Sequence, residues 1–164
     1  DFEYCFPVYA SHLSAQSRER LFTLFRRAVR VTCGASYHAA VPPLLASLQI
    51  KHLEYRYIYQ FLTFTFICHI VQPASCLRSL FPLPTSKLST RGTTTNNLSI
   101  CLYKSMVGYN SFSSRASLMW NALPAHLKGS EDIRSFSTEL LHALNDDKLT
   151  ISLYPLLFEN VFHQ

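Results

Sequence analysis

Between residues 14 and 33 the apolar positions recur at helical spacing. At about 100° per residue, Leu21, Phe22, Phe25, Ala28 and Val29 fall on one arc and Arg20, Arg26, Arg27 and Arg30 on the opposite one, with Leu24 and Val31 at the border. Ser14 offers a side-chain oxygen to the first unpaired N–H groups, and Gly34 suits the left-handed residue that ends many helices. Pro42 and Pro43 fit the first turn of a second, short helix ending near Gln49, where a missing N–H costs no intrahelical bond. The pattern predicts a third helix over residues 51–71, stopping before Pro73. From Ile58 to Val71 it is almost wholly aromatic or aliphatic, broken by Gln60, Thr63, Thr65 and His69. A bilayer span takes about 20 predominantly apolar residues. This run is shorter and interrupted, so it reads as a central core helix, and a membrane partner is not favoured.

Residues 73–81 predict a brief helix. From 82 to 97 the composition shifts to Pro, Ser, Thr, Asn and Gly, ending in Thr93-Thr94-Thr95-Asn96-Asn97, which marks a long loop or linker. Residues 98–103 predict a short strand, Gly108-Tyr109-Asn110 a turn, and residues 115–123 a helix stopped before Pro124. Ser130 is the expected cap of a final amphipathic helix carrying Ile133, Phe136, Leu140, Leu141 and Leu144. Residues 149–164 show no clear period, and no internal repeat occurs. The expected fold is therefore mainly α: a small helical bundle with a long central loop and at most a short two-stranded β element. Its expected units are a helical segment over 1–81, a linker over 82–97, a second module over 98–146 and an unassigned tail over 147–164.

A chain of 164 residues, 48% of them hydrophobic, can bury one sizeable core. Its formal charge of +5 favours acidic partners such as nucleic acid. The five cysteines, Cys5, Cys33, Cys68, Cys76 and Cys101, are scattered, with no C-x-x-C pair, so buried free thiols are expected and no metal site. With only four glycines there is no phosphate-cradling loop around Gly108. His69 and His142 lack an acidic partner at useful spacing, and no Ser-His-Asp arrangement accompanies them. The chain opens at Asp1 without a leader-like pattern, and is expected to be an internal or truncated piece of something longer.

The densest motif runs from Lys104 to Pro124. In order it holds Lys104, Gly108, Ser111-Phe112, Arg115 and Trp120-Asn121-x-Leu123-Pro124, and it contains the single Trp of the chain. This order resembles the tail that follows the polymerase core in reverse transcriptases of non-LTR (LINE-like) retrotransposons. Upstream, Phe2-Glu3-Tyr4-Cys5 with Pro7-Val8, the helix containing Arg26-Arg27, then Leu44-Leu45, Leu48, Leu53 and Arg56, and finally residues 73–81 are similar to successive segments of that family's thumb region. The chain departs from the pattern at Cys76, where an aromatic is common, at Met119, where Leu is common, and in lacking a Lys near the end of the apolar run.

The resemblance implies the distal thumb and tail of an RNA-directed DNA polymerase, without its fingers and palm. It implies no catalytic residues, no cofactor and no small-molecule substrate in this chain. Polymerisation needs carboxylates that hold two metal ions, whereas the aspartates here are Asp1, Asp132, Asp146 and Asp147. Asp146-Asp147 follows the Trp motif instead of preceding it, and lacks both the aromatic and the upstream strand of a palm. The implied partners are RNA or RNA–DNA hybrid, met by Arg20, Arg26, Arg27 and Arg30, together with the missing polymerase core. The implied location is the cytoplasm or nucleus. Thumb helices pack on a palm, so an apolar face of the first or third helix is expected to lack a cover. Trp120 is expected to anchor the core. The alternative is an α-helical protein-interaction module without nucleic-acid binding.

Overall fold

A helix that is apolar all round is stable in water only when other elements cover every face, and that requirement places the third helix at the centre. The computed structural model describes residues 9, 12–71, 81, 96–100, 105–145 and 147–158. The α-helices there are α1 (Ala15–Thr32), α2 (Val41–Ser47), α3 (Leu53–Phe66), α4 (Met106–Tyr109), α5 (Phe112–Asn121), α6 (Ala125–Lys128), α7 (Ile133–Leu144) and α8 (Asp147–Phe158). No strand occurs among the described residues. The protein is a mainly helical bundle.

Helix α3 buries Leu53, Tyr57, Ile58, Phe61, Leu62 and Phe66 almost completely. It packs against α5, α7 and α8, while α1 packs on α2. Of the first and third helices, one of which was expected to lack a cover on its apolar face, the third is covered. Part of its cover is α8, where the sequence showed no period. There Leu153 and Leu157 are fully buried and Phe158 nearly so. The main core also gathers Phe22 from α1, Met119 and Trp120 from α5, Leu127 from α6, and Phe136, Leu140 and Leu144 from α7. A smaller cluster of Val29, Val41 and Leu45 seals α1 to α2, with Phe25 packed against both groups.

Local signals explain most boundaries. Ser14 accepts from the Ser17 N–H, 3.1 Å away, and Gly34 follows the C-cap with φ +61°. The Ala35 N–H then reaches back to the Arg30 carbonyl at 2.9 Å, the bond that closes a Schellman cap. α5 begins at Phe112, earlier than expected, because Ser111 accepts from the Ser114 N–H. At α7 the expected cap Ser130 is replaced by Asp132, whose carboxylate accepts from the N–H groups of Arg134 and Ser135 at 2.8 and 3.0 Å. Leu141, expected on the apolar arc, is 40% exposed.

The α3 run ends in a π turn, Ile67–Val71, rather than continuing as α-helix to residue 71. The segment Gly108-Tyr109-Asn110, expected as a turn, holds the end of α4 and a turn at Asn110. Leu98, Ser99 and Ile100 form no strand. Residues 101–103, 73–80, 82–95, Asp146 and the segment 1–8 lie outside the described residues.

Candidate nucleic-acid interface

Helix α1 carries five arginines against a single glutamate. The whole chain has 15 Lys and Arg against 10 Asp and Glu, so nearly all its excess positive charge sits on this one helix. Packing divides the arginines. Arg26 bonds to Glu19, two turns earlier, with Thr23 between them donating to the same carboxylate oxygen. Arg30 donates from Nε to the Ala39 carbonyl at 2.9 Å and so holds the loop before α2. Arg20 and Arg27 are exposed and pair with no described residue.

The four arginines therefore do not act as one arc. Arg20 and Arg27 lie opposite the core, seven residues or about 10 Å apart along the axis. Arg26 and Arg30 occupy the flank. Leu24 and Val31, expected at the border, share the outward stripe with Arg20 and Arg27 and are 51% and 80% exposed. Sequence reasoning missed Arg18. Its wheel position on the apolar arc, four before Phe22 and seven before Phe25, was the available signal. Its Nη1 donates to the Phe158 carbonyl at 2.7 Å, and its guanidinium stacks over the Phe158 ring.

Lys104 lies outside the described residues, and the rest of the motif to Pro124 builds structure. Trp120 is fully buried beside Phe66, Phe136 and His69, and its Nε1 donates to the Asn96 carbonyl at 2.8 Å. Asn121 grips Leu98 at both ends: Oδ1 accepts from the Leu98 N–H at 2.8 Å and Nδ2 donates to its carbonyl at 2.9 Å. A side-chain amide thus gives the Leu98 backbone the pairing that a neighbouring strand would have given. Leu123 is buried and Pro124 starts α6.

Arg115 is 1% exposed. It donates to the Leu156 carbonyl at 3.0 Å and to Asn110 Oδ1 at 2.7 Å, and lies over the Tyr109 ring. Burial pulls its pKa down and Tyr109 opposes that fall. Lys128 is also buried, its Nζ donating to Asn97 Oδ1 at 2.8 Å and to the Asn121 carbonyl at 3.3 Å, and burial lowers its pKa. These buried cations hold the fold together through internal bonds.

Among the described residues no three His, Cys, Asp or Glu side chains converge on a common point. No described helix is long and apolar enough to cross a membrane. Cys33 and Cys68 are free thiols, and burial raises the pKa of Cys68. Compared with protein-family models, curated proteins and solved structures, the chain has no match.

Proposed function

We propose that this chain is a non-catalytic part of a retrotransposon reverse transcriptase, in which α1 lies along the phosphate backbone of RNA or an RNA–DNA hybrid. The observation that carries this is the concentration of positive charge on α1, with Arg20 and Arg27 standing clear of internal partners. A basic stripe along one helix is the electrostatic footprint of a backbone binder. Phosphate contacts position a protein and carry no base readout, so binding is weak in sequence preference. The order of residues from Lys104 to Pro124 supports the origin, and each of Ser111, Arg115, Trp120, Asn121 and Pro124 has a distinct role in holding that region together.

Leu24 and Val31 favour a second function, a helical protein-interaction module, because exposed aliphatic residues on the same stripe suit an apolar partner. Salt dependence separates the two. Arg20→Ala with Arg27→Ala removes two phosphate partners without touching the Arg26 and Arg30 bonds. The expected result is weaker binding to an RNA–DNA hybrid and a slope of log K against log salt that flattens by roughly two. Unchanged affinity and slope would sink the backbone role and leave the interaction module.

A further inference from the structure

Helix α1 runs into a tied turn that holds up two aromatic rings. The Ala39 N–H donates to the Ser36 carbonyl at 3.0 Å, which closes a four-residue turn with Tyr37 and His38 at its corners. The Ala39 carbonyl accepts from Arg30 Nε at 2.9 Å, so both polar backbone groups of that residue are fixed. Ahead of the turn, the Ala35 N–H is held by the Arg30 carbonyl at 2.9 Å. Behind it α2 begins at Val41, which is buried with Val29 and Leu45 in the cluster that joins the two helices. The corners stand on a firm base, as the residues of functional loops commonly do.

The rings are displayed rather than packed. Tyr37 is 65% exposed, and His38 is exposed beside it. The only ring that Tyr37 meets among the described residues is His38, with centres 5.1 Å apart and planes at 90°. In an edge-to-face pair one ring gives an edge and the other a single face. Each therefore keeps a face open to a third ring.

We propose that this turn stacks an unpaired base of the strand whose phosphates lie along α1, a reading that rests on the backbone role of that helix. The preferred ligand is then an RNA–DNA hybrid with a single-stranded RNA overhang. Charge sets the order of contacts. Arg20 and Arg27 precede the last turn of α1, whose carbonyls form the negative end of the helix dipole. A phosphate is favoured on those arginines and disfavoured beyond Thr32, where an uncharged ring is the better guest. The outward stripe changes in the same sense, from the arginines to Val31, which is 80% exposed. A base inside a duplex has both faces covered by its neighbours, so the open faces of Tyr37 and His38 suit an unpaired one. Such stacking accepts any base, because every base has a π face.

The full chain is titrated with a blunt RNA–DNA hybrid and with the same hybrid carrying a short RNA overhang, at several salt concentrations. The overhang is expected to tighten binding roughly 5- to 150-fold, as for one stacked base, and to move ring-proton NMR signals of Tyr37 and His38 upfield. Tyr37→Leu, which keeps an apolar side chain, is expected to remove that gain. It should leave blunt-hybrid affinity and the salt slope as in the parent, since no phosphate partner is lost. Tyr37→Phe is expected to bind as the parent does, because the ring is used and the hydroxyl is not. Neither change at this exposed position should shift the melting temperature.

The proposal is overturned if the overhang adds nothing, or if Tyr37→Leu keeps the whole gain. It is also overturned if Tyr37→Leu weakens both hybrids equally, which would set the ring against the duplex. In each case a blunt-hybrid salt slope that flattens on changing Arg20 and Arg27 leaves the backbone role standing. Overhang binding that needs Tyr37 but not Arg20 and Arg27 keeps the stacking and removes the backbone role. Binding of neither hybrid overturns both.

Discussion

At the scale of single residues, the polar side-chain atoms of Trp120 and Asn121 are matched one to one with backbone atoms of Asn96 and Leu98, which pair with no strand among the described residues. Asn121 is the clearest case, since one amide satisfies both polar groups of Leu98, a residue only 3% exposed. Asn121→Leu should leave a donor and an acceptor unpaired and cost about 2–3 kcal/mol in urea unfolding. Trp120→Ala should cost more, about 3–5 kcal/mol, because a large buried ring is lost. Trp120→Phe keeps most of the packing and isolates the bond to the Asn96 carbonyl. Asp132 supplies the pH test. Its carboxylate accepts first from the Ser135 side chain, then from backbone N–H groups, and these hold its pKa below the ordinary value. A depressed folded pKa gives stability that is present above the unfolded value of about 3.9 and is lost as pH falls through the folded one. Asp132→Asn should therefore melt below the parent at pH 7, and the two should converge under acid. A gap that is constant with pH would show that the charge contributes nothing.

At the scale of elements, legibility followed the range of the interactions. Helix α1 could be bounded from Ser14 and Gly34 because both signals are local, and the apolar run of α3 marked it as central. The arginines could not be sorted, because Arg26 is bound to Glu19 only through the helix's own side-chain packing, and Arg30 to a carbonyl nine residues away in a loop. The end of α2 was expected near Gln49, and Gln49 does there the work normally signalled by Gly. Helix α8 was illegible for two reasons. Leu149, Ile151, Leu153, Tyr154, Leu156, Leu157 and Phe158 leave little contrast for a period, and Pro155 reads as a breaker. Its place is secured from outside, by Arg115 on the Leu156 carbonyl and Arg18 on the Phe158 carbonyl. The helix has no basic residue of its own in that last turn, so two cations from other helices face the negative end of its dipole. Arg18→Ala should accordingly lower stability, whereas Arg18→Lys should recover part of the loss, because the charge survives and the planar fork does not. Equal loss in both variants, seen by thermal melts, would show that stacking on Phe158 outweighs the charge.

At the scale of the whole molecule, one core is shared by residues far apart in the chain, from Phe22 on α1 to Phe158 on α8. That sharing changes what is expected of the chain on its own. A thumb segment lacking its palm should leave an apolar face of α1 or α3 bare, yet on α3 Leu53, Tyr57, Phe61 and Phe66 are each no more than 1% exposed. Helix α8, in a region outside the reverse-transcriptase resemblance, contributes to that cover. The dependence can be tested by weakening α8 without shortening the chain. Leu153→Ala and Leu157→Ala each remove a fully buried side chain and should cost about 2–5 kcal/mol apiece. Together they approach or exceed the whole stability expected of a small domain, about 5–15 kcal/mol. The double variant should therefore bind a hydrophobic dye and lose its cooperative melt, while helical circular dichroism largely persists. If it instead melts cooperatively and ignores the dye, α3 does not rely on α8, and the cover comes from α5 and α7 alone. The outward stripe of α1 makes the complementary control. Leu24→Ala and Val31→Ala alter exposed positions and should leave the melt within about 0.5 kcal/mol of the parent, so any loss of partner binding they cause is a surface effect, separable from the fold.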